Sequence, residues 1–306
     1  MSYLAPVDDT YAEAFKSIYA EILITARDRY WVERAVEACT GNASSTIMCD
    51  CEAGKSHDVS PAETPDGRPG AVVQFHVPRF WKDRAERLEK SLILRVGQNV
   101  LTCPTTACFS TMRDEAQFFK LGRKLSFFGD GHQFRDERFG RKGWVIPILG
   151  GEFFLDRRFG YRDGLMGGNL WYFGTTVDAA VDAAMKGVEA AKRPGVIMPF
   201  PGGLAGSGSK AGSKYKFIVG STFAEYCPTL RSKLGDQSRL PAGVASVQEI
   251  ILNGSDLGTI AAAMQAAIAA SRATEGLERI SAGNYHGKLG KSFIYLHAEK
   301  QPPVVT

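Results

Sequence analysis

The feature that most constrains the fold is an alternation of helical and strand-like apolar patterns that occurs in both halves of the chain. Apolar residues recur at helical spacing in four segments, as at Val32, Ala35, Val36 and Cys39. Short β-rich runs flank these helices. The predicted helices are 32–39, 81–96, 177–188 and 257–268. The predicted strands are 18–25, 45–48, 71–77, 100–102, 170–173, 196–198, 215–219, 247–252, 277–280 and 293–296.

This alternation predicts a duplicated α+β fold. Strand–helix–strand units occur twice in each half, and the halves repeat at a spacing of about 150 residues. The alternation is too irregular for an eight-fold barrel, whereas two split βαβ units per half are typical of a ferredoxin-like sandwich. We therefore expect two similar ferredoxin-like α/β lobes, spanning residues 1–148 and 149–306. The segment 120–142 is basic, with glycine turns, and resembles a hairpin.

Composition excludes several protein classes. The 306 residues are 44% hydrophobic and 23% charged, as in ordinary globular proteins, which argues against disorder, collagen and coiled coil. No apolar run approaches the roughly 18 residues of a membrane span. The net charge of +4 is too small for a nucleic-acid-binding footprint. The N-terminal residues lack the charged and apolar regions of a signal peptide, so we expect a cytoplasmic protein.

The six cysteines predict free thiols rather than a disulfide scaffold, since they are sparse in a chain of this length. Cys49 and Cys51 with Cys103 and Cys108 could be read as four zinc ligands. Neither spacing is the C-x2-C of common structural zinc sites, and no histidine pair supports the set. We therefore expect no metal site.

The first loop of interest, 60–70, places an Asp66-Gly67 turn between prolines that limit its conformations. Such a rigid loop, carrying Thr64, Asp66 and Arg68, could bind a polar ligand. It could equally be a stiff turn between two elements. The sequence favours neither interpretation.

Two further loops are rich in glycine. The loop 199–214 offers backbone amides, hydroxyls and two lysines that could bind an anion, although a flexible linker would have a similar composition. The loop 281–292 ends in Gly290-Lys291-Ser292, but Tyr285 stands where a phosphate-binding loop has its first glycine. Both loops run into predicted strands, whereas a phosphate loop opens a helix. A nucleotide-binding module is therefore not expected.

Glu249 lies within the run 247–252, which otherwise resembles a buried strand. A buried carboxyl there would have a raised pKa, as a general acid–base requires. Periodicity alone favours the alternative, in which Glu249 faces water at a sheet edge. No nucleophile elbow occurs, and none of the five histidines sits in a metal motif.

Several of these motifs together resemble those of the formylmethanofuran:tetrahydromethanopterin formyltransferase family. The resemblance extends from about Asp9 to His297, essentially the whole chain. The matching motifs are Ile47-Met48-Cys49, the 60–70 loop, Gly97-Gln98, Pro104-Thr105-Thr106, Gly167-Gly168-Asn169, 199–203, 206–210, Glu249-Ile250 and 280–291.

The resemblance implies two ferredoxin-like lobes and formyl transfer between N5 of tetrahydromethanopterin and the amine of methanofuran. It implies no metal or prosthetic group, with the two carriers acting as substrates. It identifies Glu249 as the catalytic acid–base, which reverses the preference for an exposed edge. The expected substrate-binding residues are Thr64, Asp66, Arg68, Thr105, Phe200, Gly202, Gly203, Ser207, Ser209, Lys210, Gln248, Ser281, Asn284 and Lys288. Backbone amides of residues 202–208, Ser207 or Gln248 are the candidate oxyanion donors.

The resemblance also implies a homo-oligomer with its active cleft near a subunit contact. Archaeal members are strongly acidic, whereas this chain carries +4, with arginines at 135, 138, 141, 157, 158 and 162. This difference favours a bacterial version, a subunit of a formyltransferase/hydrolase complex in methylotrophic formaldehyde oxidation. The basic surface would then meet an acidic subunit or a carboxylate-rich carrier tail, or would simply be solvated. The alternative function is a non-catalytic scaffold or carrier-docking subunit of the same complex.

Overall fold

The computed structural model describes residues 3–301, which form sixteen strands and six α-helices. The strands are β1 (Tyr11–Thr25), β2 (Glu52–Val59), β3 (Gly70–Pro78), β4 (Ala107–Ser110), β5 (Phe118–Phe119), β6 (Phe134–Arg138), β7 (Arg141–Ile148), β8 (Gly151–Asp156), β9 (Phe159–Gly174), β10 (Val196–Ile197), β11 (Leu204–Ala205), β12 (Lys210–Ala211), β13 (Gly220–Ser221), β14 (Ser246–Gly254), β15 (Leu277–Ser281) and β16 (Ser292–Tyr295). The helices are α1 (Arg29–Thr40), α2 (Arg84–Arg95), α3 (Leu121–Ser126), α4 (Val177–Ala191), α5 (Arg231–Leu234) and α6 (Leu257–Ser271).

The chain divides into two compact units. The N-terminal unit is Ser17–Gly164, and the C-terminal unit combines residues 3–16 with residues 165–301 of the described chain. The sequence-based division at 148/149 remains a prediction. It falls in the turn between β7 and β8, two strands that pair with each other.

The N-terminal unit contains a β-α-β-β-α-β succession formed by β1, α1, β2, β3, α2 and β4. The part of β1 that belongs to this unit, residues 17–25, pairs antiparallel with β3 on one side. Its last four residues also pair antiparallel with β4 on the other side, and β3 pairs antiparallel with β2. The resulting order, β2-β3-β1-β4, places the third strand between the first two, as in a split βαβ sandwich. Strands β8, β7 and β6 extend the sheet beyond β4.

The C-terminal unit repeats this topology with β9, α4, β10, β14, α6 and β15. Strand β14 pairs antiparallel with β10 and with β9, and β9 pairs antiparallel with β15. The order β10-β14-β9-β15 is that of the N-terminal unit, element for element. The expected α+β class with two similar ferredoxin-like lobes is therefore confirmed.

Helix boundaries agree with local sequence chemistry. Asp28 accepts a hydrogen bond from the Trp31 amide at the start of α1, and Asp256 accepts one from the Thr259 amide at the start of α6. These side chains satisfy amides that the first helical turn leaves unpaired. Among the described residues, none of the helices has both the length and the apolar character needed to cross a membrane.

The two faces of β14 have different surroundings, which decides where the site forms. Ile250 and Leu252 belong to the core that includes residues of α4 and α6. Because successive side chains of a strand point to opposite faces, Glu249 lies on the face away from these helices. Aromatic side chains of β9 lie on that face, together with residues of the segment between β10 and β14.

Three predicted strands were wrong. Residues 45–48 form a turn in which the Ser45 carbonyl accepts the Met48 and Cys49 amides. Residues 100–102 continue a helical turn, with the Leu101 amide bonded to the Val96 carbonyl. Residues 215–219 form no strand, and their apolar side chains are exposed, with Phe217 81% accessible. Each run has strand-like residues but no partner strand, and strand propensity depends on such pairing.

The segment 120–142 was also predicted incompletely. It begins with helix α3. The glycine turn at 129–131 precedes β6, and the turn at Gly140 joins β6 to β7 in a hairpin that extends to Ile148. The hairpin turn is at Phe139-Gly140, where both residues have positive φ. The glycine signal therefore located the turn correctly, whereas the residues before it are helical.

Candidate active site

Glu249 occupies an interior strand and is buried, only 2% exposed. It lies opposite Trp171 of β9 on one side and opposite Ala205 of β11 on the other. The interpretation of Glu249 as a solvent-facing edge residue was therefore wrong. Periodicity within β14 could not reveal the flanking strands, since one of them is separated from it by the long segment 206–245.

An aromatic cluster lies beside Glu249. Residues directly opposite each other in an antiparallel ladder project to the same face, so Trp171 and Glu249 are neighbours. The Trp171 ring lies 5.0 Å from the Phe223 ring and 4.8 Å from the Tyr226 ring, centroid to centroid. Leu240 and Val244 complete this cluster. The segment between β10 and β14 thus supplies apolar groups around the carboxyl.

The surroundings of Glu249 suit a proton-transfer group. Both carboxylate oxygens are buried and have no partner at full hydrogen-bond geometry within the described residues. Burial raises the pKa of Glu249 to about 7, while weaker contacts from Trp171 and Ser209 oppose the increase. A carboxyl with this pKa is available both protonated and ionised at neutral pH, which is the condition for a shuttle.

The glycine-rich loop flanks Glu249 along β11. The Ser209 hydroxyl and backbone both approach the carboxylate, which places the predicted Ser209 at this site. Lys210 lies with its Nζ 5.6 Å from the centre of the Phe223 ring. Ser207 is exposed and bonds to the Gly208 carbonyl. The structure therefore brings Ser209 to Glu249 and Lys210 to the aromatic cluster.

Other predicted residues of this region face elsewhere. Gln248 adjoins Glu249 in β14, so its side chain projects to the opposite face. Its Nε2 bonds to the Ser246 hydroxyl. Gly203 packs against Val188 of α4, and a Cβ at Gly203 would come within 2.9 Å of that side chain. Phe200 and Gly202 belong to the same tight turn, in which the Phe200 carbonyl accepts the Gly203 amide.

The loop 281–291 borders the site from the other side. Ser281 lies opposite Trp171 in the β15–β9 ladder, which places it on the face of Glu249. Gly283 packs so closely on the indole that a Cβ would come within 2.7 Å of Trp171 Cζ2. The side-chain amide of Asn284 donates to the Thr10 hydroxyl and so helps to hold the loop in place. Lys288 is exposed.

Two residues near the site were missed in the sequence. Tyr285 lies close enough to Glu249 for the carboxylate charge to help raise the tyrosine pKa to about 12, although burial is the larger cause. Glu13 of β1 is 1% exposed and accepts four backbone amides from the same loop. The predicted strand 18–25 began seven residues too late, since β1 starts at Tyr11, and so left out Glu13.

The remaining predicted residues form a hydrogen-bonded cluster in the N-terminal unit. Asp66 accepts from Arg68 at 2.8 Å and from the Thr25 hydroxyl at 2.7 Å. Arg68 also donates to the Thr105 carbonyl, and the Thr64 hydroxyl donates to the Arg68 carbonyl. The structure thus brings these four predicted residues together. Their polar groups are largely used in fixing the loop.

The six arginines noted in the sequence divide into two groups. Arg138, Arg141 and Arg162 pair with carboxylates of the N-terminal unit. The other three line basic clefts of this unit, where Arg158 also stacks on Phe118 and Arg135 on Trp144. The lining basic residues of the two clefts are Arg113, Lys120, Arg123, Arg135, Lys142, Arg157 and Arg158.

The cysteines do not form a ligand set. All six are free thiols, and burial raises the pKa of Cys51 to about 12 and that of Cys108 well above its ordinary value. Metal binding requires the opposite shift, toward the thiolate. In the described range 3–301, no group of three or more His, Cys, Asp or Glu side chains is arranged to hold a metal ion.

Comparison with known proteins identifies a family for both halves of the chain. Residues 3–148 match the family model for formylmethanofuran-tetrahydromethanopterin formyltransferase, and residues 151–298 match the model for its proximal lobe. The formylmethanofuran–tetrahydromethanopterin formyltransferase of Methanosarcina mazei is 44% identical over 293 residues, covering 95% of this chain and 97% of its own.

Two solved structures are also similar. The formyltransferase from Methanosarcina barkeri has a TM-score of 0.90 and 42% identity, covering 96% of this chain and 97% of its own. A chain of the formyltransferase/hydrolase complex from Methylorubrum extorquens, solved with methylofuran, has a TM-score of 0.87 and 38% identity, with 95% of each chain covered. With family matches across both halves and 44% identity over nearly its full length, this chain belongs to the formylmethanofuran–tetrahydromethanopterin formyltransferase family.

Proposed function

We propose that this chain transfers a formyl group between N5 of tetrahydromethanopterin and the amine of methanofuran or an analogue. Membership of the family supports the reaction. The observation that carries the assignment to a site is the buried carboxyl of Glu249, which has only weak polar contacts from Trp171 and Ser209 and whose pKa is raised to about 7. A buried carboxyl so poorly compensated costs folding stability, so a purely structural role gives no reason to keep it.

The reaction needs one proton relocated for each formyl group moved. The acceptor amine attacks the formyl carbon of the donor formamide, forming a new C–N bond and a tetrahedral oxyanion. Collapse of this intermediate breaks the bond to the donor nitrogen and restores the carbonyl. The attacking nitrogen loses one proton and the leaving nitrogen gains one, so no external acid or base is consumed.

Glu249 is the proposed carrier of that proton. As a carboxylate it accepts the proton from the attacking amine, and as a carboxylic acid it donates it to the leaving nitrogen. The free-energy difference between the two forms is small near pH 7 because the pKa of Glu249 is about 7. Such positioned proton transfer contributes roughly a hundred- to ten-thousand-fold to the rate.

The oxyanion needs donors on the same face of the sheet. Of the expected donors, backbone amides of residues 202–208 and the Ser207 hydroxyl are proposed, since β11 runs directly beside Glu249. The Gly203 amide is excepted because it donates to the Phe200 carbonyl. Gln248, the other candidate, projects to the opposite face and is not proposed for this role. Orientation of the two carriers supplies a further part of the rate, and no covalent enzyme intermediate is required.

The carriers are proposed as substrates, with no prosthetic group in the chemistry. The proposed binding groups around Glu249 are Ser209, Lys210, Ser281, Asn284 and Lys288. The Phe200–Gly203 turn and the Thr64, Asp66, Arg68 and Thr105 cluster are kept as proposed contacts for the more distant parts of the carriers. The last four act mainly by holding a rigid loop.

The proposed setting is formaldehyde oxidation to formate in the cytoplasm. The relative from Methylorubrum extorquens belongs to a formyltransferase/hydrolase complex. We extend that assembly to this chain, as a homo-oligomer bound to hydrolase subunits. Formyl flow would then run from the pterin to the furan-type carrier. The basic clefts around Arg157 and Arg158 are the proposed contact for an acidic subunit or a carboxylate-rich carrier tail.

The experiment that tests this function is a formyl-transfer assay with the two carriers, comparing the wild type with Glu249→Gln. We expect transfer by the wild type and a loss of at least about a hundredfold in kcat for the variant. Binding of each carrier, measured by calorimetry, should persist because glutamine keeps the shape of the side chain.

The scaffold alternative predicts a different pattern. A carrier-docking subunit would bind both carriers without transferring the formyl group, even as a native oligomer. That result would overturn the proposed activity. Equal rates for wild type and Glu249→Gln would instead leave the activity and remove Glu249 from the mechanism.

A further inference from the structure

The starting observation is a buried carboxylate that serves only as an acceptor of loop amides. Glu13 Oε1 accepts the Tyr285 amide at 2.5 Å and the Gly287 amide at 2.7 Å. Its Oε2 accepts the Leu289 amide at 2.9 Å and the Gly290 amide at 3.2 Å. No Lys, Arg or His nitrogen lies within ion-pair distance of Glu13 among residues 3–301.

These four hydrogen bonds stabilise the ionised form of Glu13. Burial alone would raise the pKa of this group, but the amides of Gly287, Gly290, Tyr285 and Leu289 together hold it below its ordinary value. Hydrogen bonds from amides to a charged carboxylate are stronger than those between neutral groups. The loop therefore supplies all the compensation that this buried charge receives from the described chain.

The loop has an unfavourable backbone conformation that needs such support. His286 has φ +56° and Gly287 has φ +74°, two successive residues in the left-handed region. A side chain other than glycine rarely adopts this conformation without compensating contacts. The amides on both sides of His286, those of Tyr285 and Gly287, both bond to Glu13 Oε1.

The N-terminal segment around Glu13 fixes the loop at two further points. The side-chain amide of Asn284 donates to the hydroxyl of Thr10, the residue before β1, at 2.9 Å. Gly290 lies so close to β1 that a Cβ would come within 2.2 Å of the Ala14 carbonyl oxygen. Glu13 therefore lies between two contacts that hold the ends of the loop on residues 10–14.

The residue held at the start of this loop is Tyr285, and its side chain reaches the Glu249 site. Burial is the main reason that the pKa of Tyr285 rises to about 12, and the charges of Glu249, Glu13 and Glu225 add to the increase. The hydroxyl also interacts with the Ala211 backbone of the glycine-rich loop. The Tyr285 ring lies 6.4 Å from the Phe223 ring, which itself contacts Trp171.

We infer that Glu13 is a positioning residue for formyl transfer, which keeps Tyr285 over the Glu249 site by binding the amides of residues 285–290. The inference rests on the proposed function. The hydrogen bonds of Glu13 go to loop amides and not to Glu249. It acts through Tyr285, whose ring helps to exclude water from the carboxyl that shuttles the proton.

The test compares pH profiles of kcat/KM for full-length wild type, Glu13→Gln and Tyr285→Ala. Glutamine replaces one acceptor oxygen with an amide donor, so about two of the four loop amides lose their partner. Water then enters beside Glu249, and its apparent pKa should fall by about one unit from the wild-type value. Because the acid–base is less well matched to neutral pH, kcat should fall about tenfold or more.

Non-additivity distinguishes positioning from a general loss of structure. If Glu13 acts through Tyr285, the Glu13→Gln change should add little to the pKa shift or the kcat loss in a Tyr285→Ala background. Additive effects would overturn the inference. An unchanged pH profile in Glu13→Gln would overturn it as well.

A matched control is Glu52→Gln in the N-terminal unit. Glu52 is also buried and accepts the Thr46 amide at 3.0 Å. This variant should lower stability and leave the apparent pKa of the reaction unchanged. A shift of the pH profile in Glu52→Gln equal to that in Glu13→Gln would overturn the specific role of Glu13.

Hydrogen exchange gives a readout that does not depend on activity. Amides of Tyr285, Gly287, Leu289 and Gly290 should exchange slowly in the wild type and at least about tenfold faster in Glu13→Gln. Unchanged exchange would overturn the inference. Wild-type protein that shows this protection but no formyl transfer would contradict the proposed function, so the two failures are distinguishable.

Discussion

Trp171 of β9 lies directly opposite Glu249 of β14, and both side chains leave the same face of the sheet. The indole is at once an apolar cover and a polar contact for the carboxyl. Burial raises the pKa of Glu249 to about 7, whereas the Trp171 contact works against the increase. The pair explains how a glutamate in the interior of a sheet retains a pKa within the physiological range.

The raised pKa of Glu249 predicts a pH-dependent cost to folding. The folded protein binds the Glu249 proton more tightly than the unfolded chain, whose glutamate has an ordinary pKa of 4.5. The favourable contribution is therefore complete below pH 4.5 and is lost as the pH rises to about 7. Glu249→Gln has no such titrating group. The unfolding free energy of the variant minus that of the wild type should therefore rise by about 3 kcal/mol as the pH increases across this interval.

Urea unfolding of both proteins at pH 4.5 and pH 8 measures this difference. Other titrating groups are common to the two proteins and cancel in the comparison. A difference that stays constant with pH would show that Glu249 has an ordinary pKa in the folded state.

The contact between Gly283 and Trp171 predicts that activity is sensitive to a residue that carries no reacting group itself. In Gly283→Ala the new Cβ would approach Trp171 Cζ2 to 2.7 Å, so the indole must move. Because the indole lies beside Glu249, its displacement should disturb the geometry around the proposed acid–base and lower kcat by about tenfold to a hundredfold. The matched control is Gly150→Ala, whose Cβ meets its nearest neighbour at 4.0 Å. Equal activity for the two variants would contradict the assigned role of Trp171.

Two of the arginines that the sequence grouped together should differ strongly in their effect on stability. Arg141 is buried, and its Nε lies 3.0 Å from both oxygens of the buried Asp156. Arg141→Ala leaves that buried carboxylate without its cation, with the Ser110 amide as its remaining donor, and should cost about 3–5 kcal/mol. The side chain of Arg138 is one-third exposed and pairs with Asp136 and Glu152. Arg138→Ala should therefore lower the unfolding free energy by at most about 1 kcal/mol. Chemical unfolding would measure both, and similar losses would contradict the contrast in burial.

The duplicated topology was predictable because it depends on local periodicity. The apolar residues that form one face of α1, α2, α4 and α6 recur in neighbouring turns of the same helix, so they are visible in short stretches of sequence. The order of helices and strands follows from them. The wrong strands, such as 215–219, have the right residues but lack a partner. Pairing is a long-range property that composition does not contain.

The site was less predictable, for the same reason. Glu249 is buried by Trp171, which lies 78 positions earlier, and by groups from the long connection between β10 and β14. The Glu13 contacts join residues more than 270 positions apart. Strand periodicity favoured exposure of Glu249, and only the family resemblance indicated the catalytic role that is proposed for it. Thr64, Asp66 and Arg68 were found from their turn chemistry, which is local, whereas Thr105, whose carbonyl accepts from Arg68 across 37 positions, came only from the family resemblance.

The proton-transfer role of Glu249 is tested most directly by the pH profile of kcat/KM for formyl transfer in wild type and Glu249→Gln. This profile reports the pKa of essential groups in the free enzyme. We expect a wild-type transition with an apparent pKa of about 7 that is absent from the residual activity of Glu249→Gln. The same transition in both proteins would show that another group moves the proton, and would contradict the role assigned to Glu249.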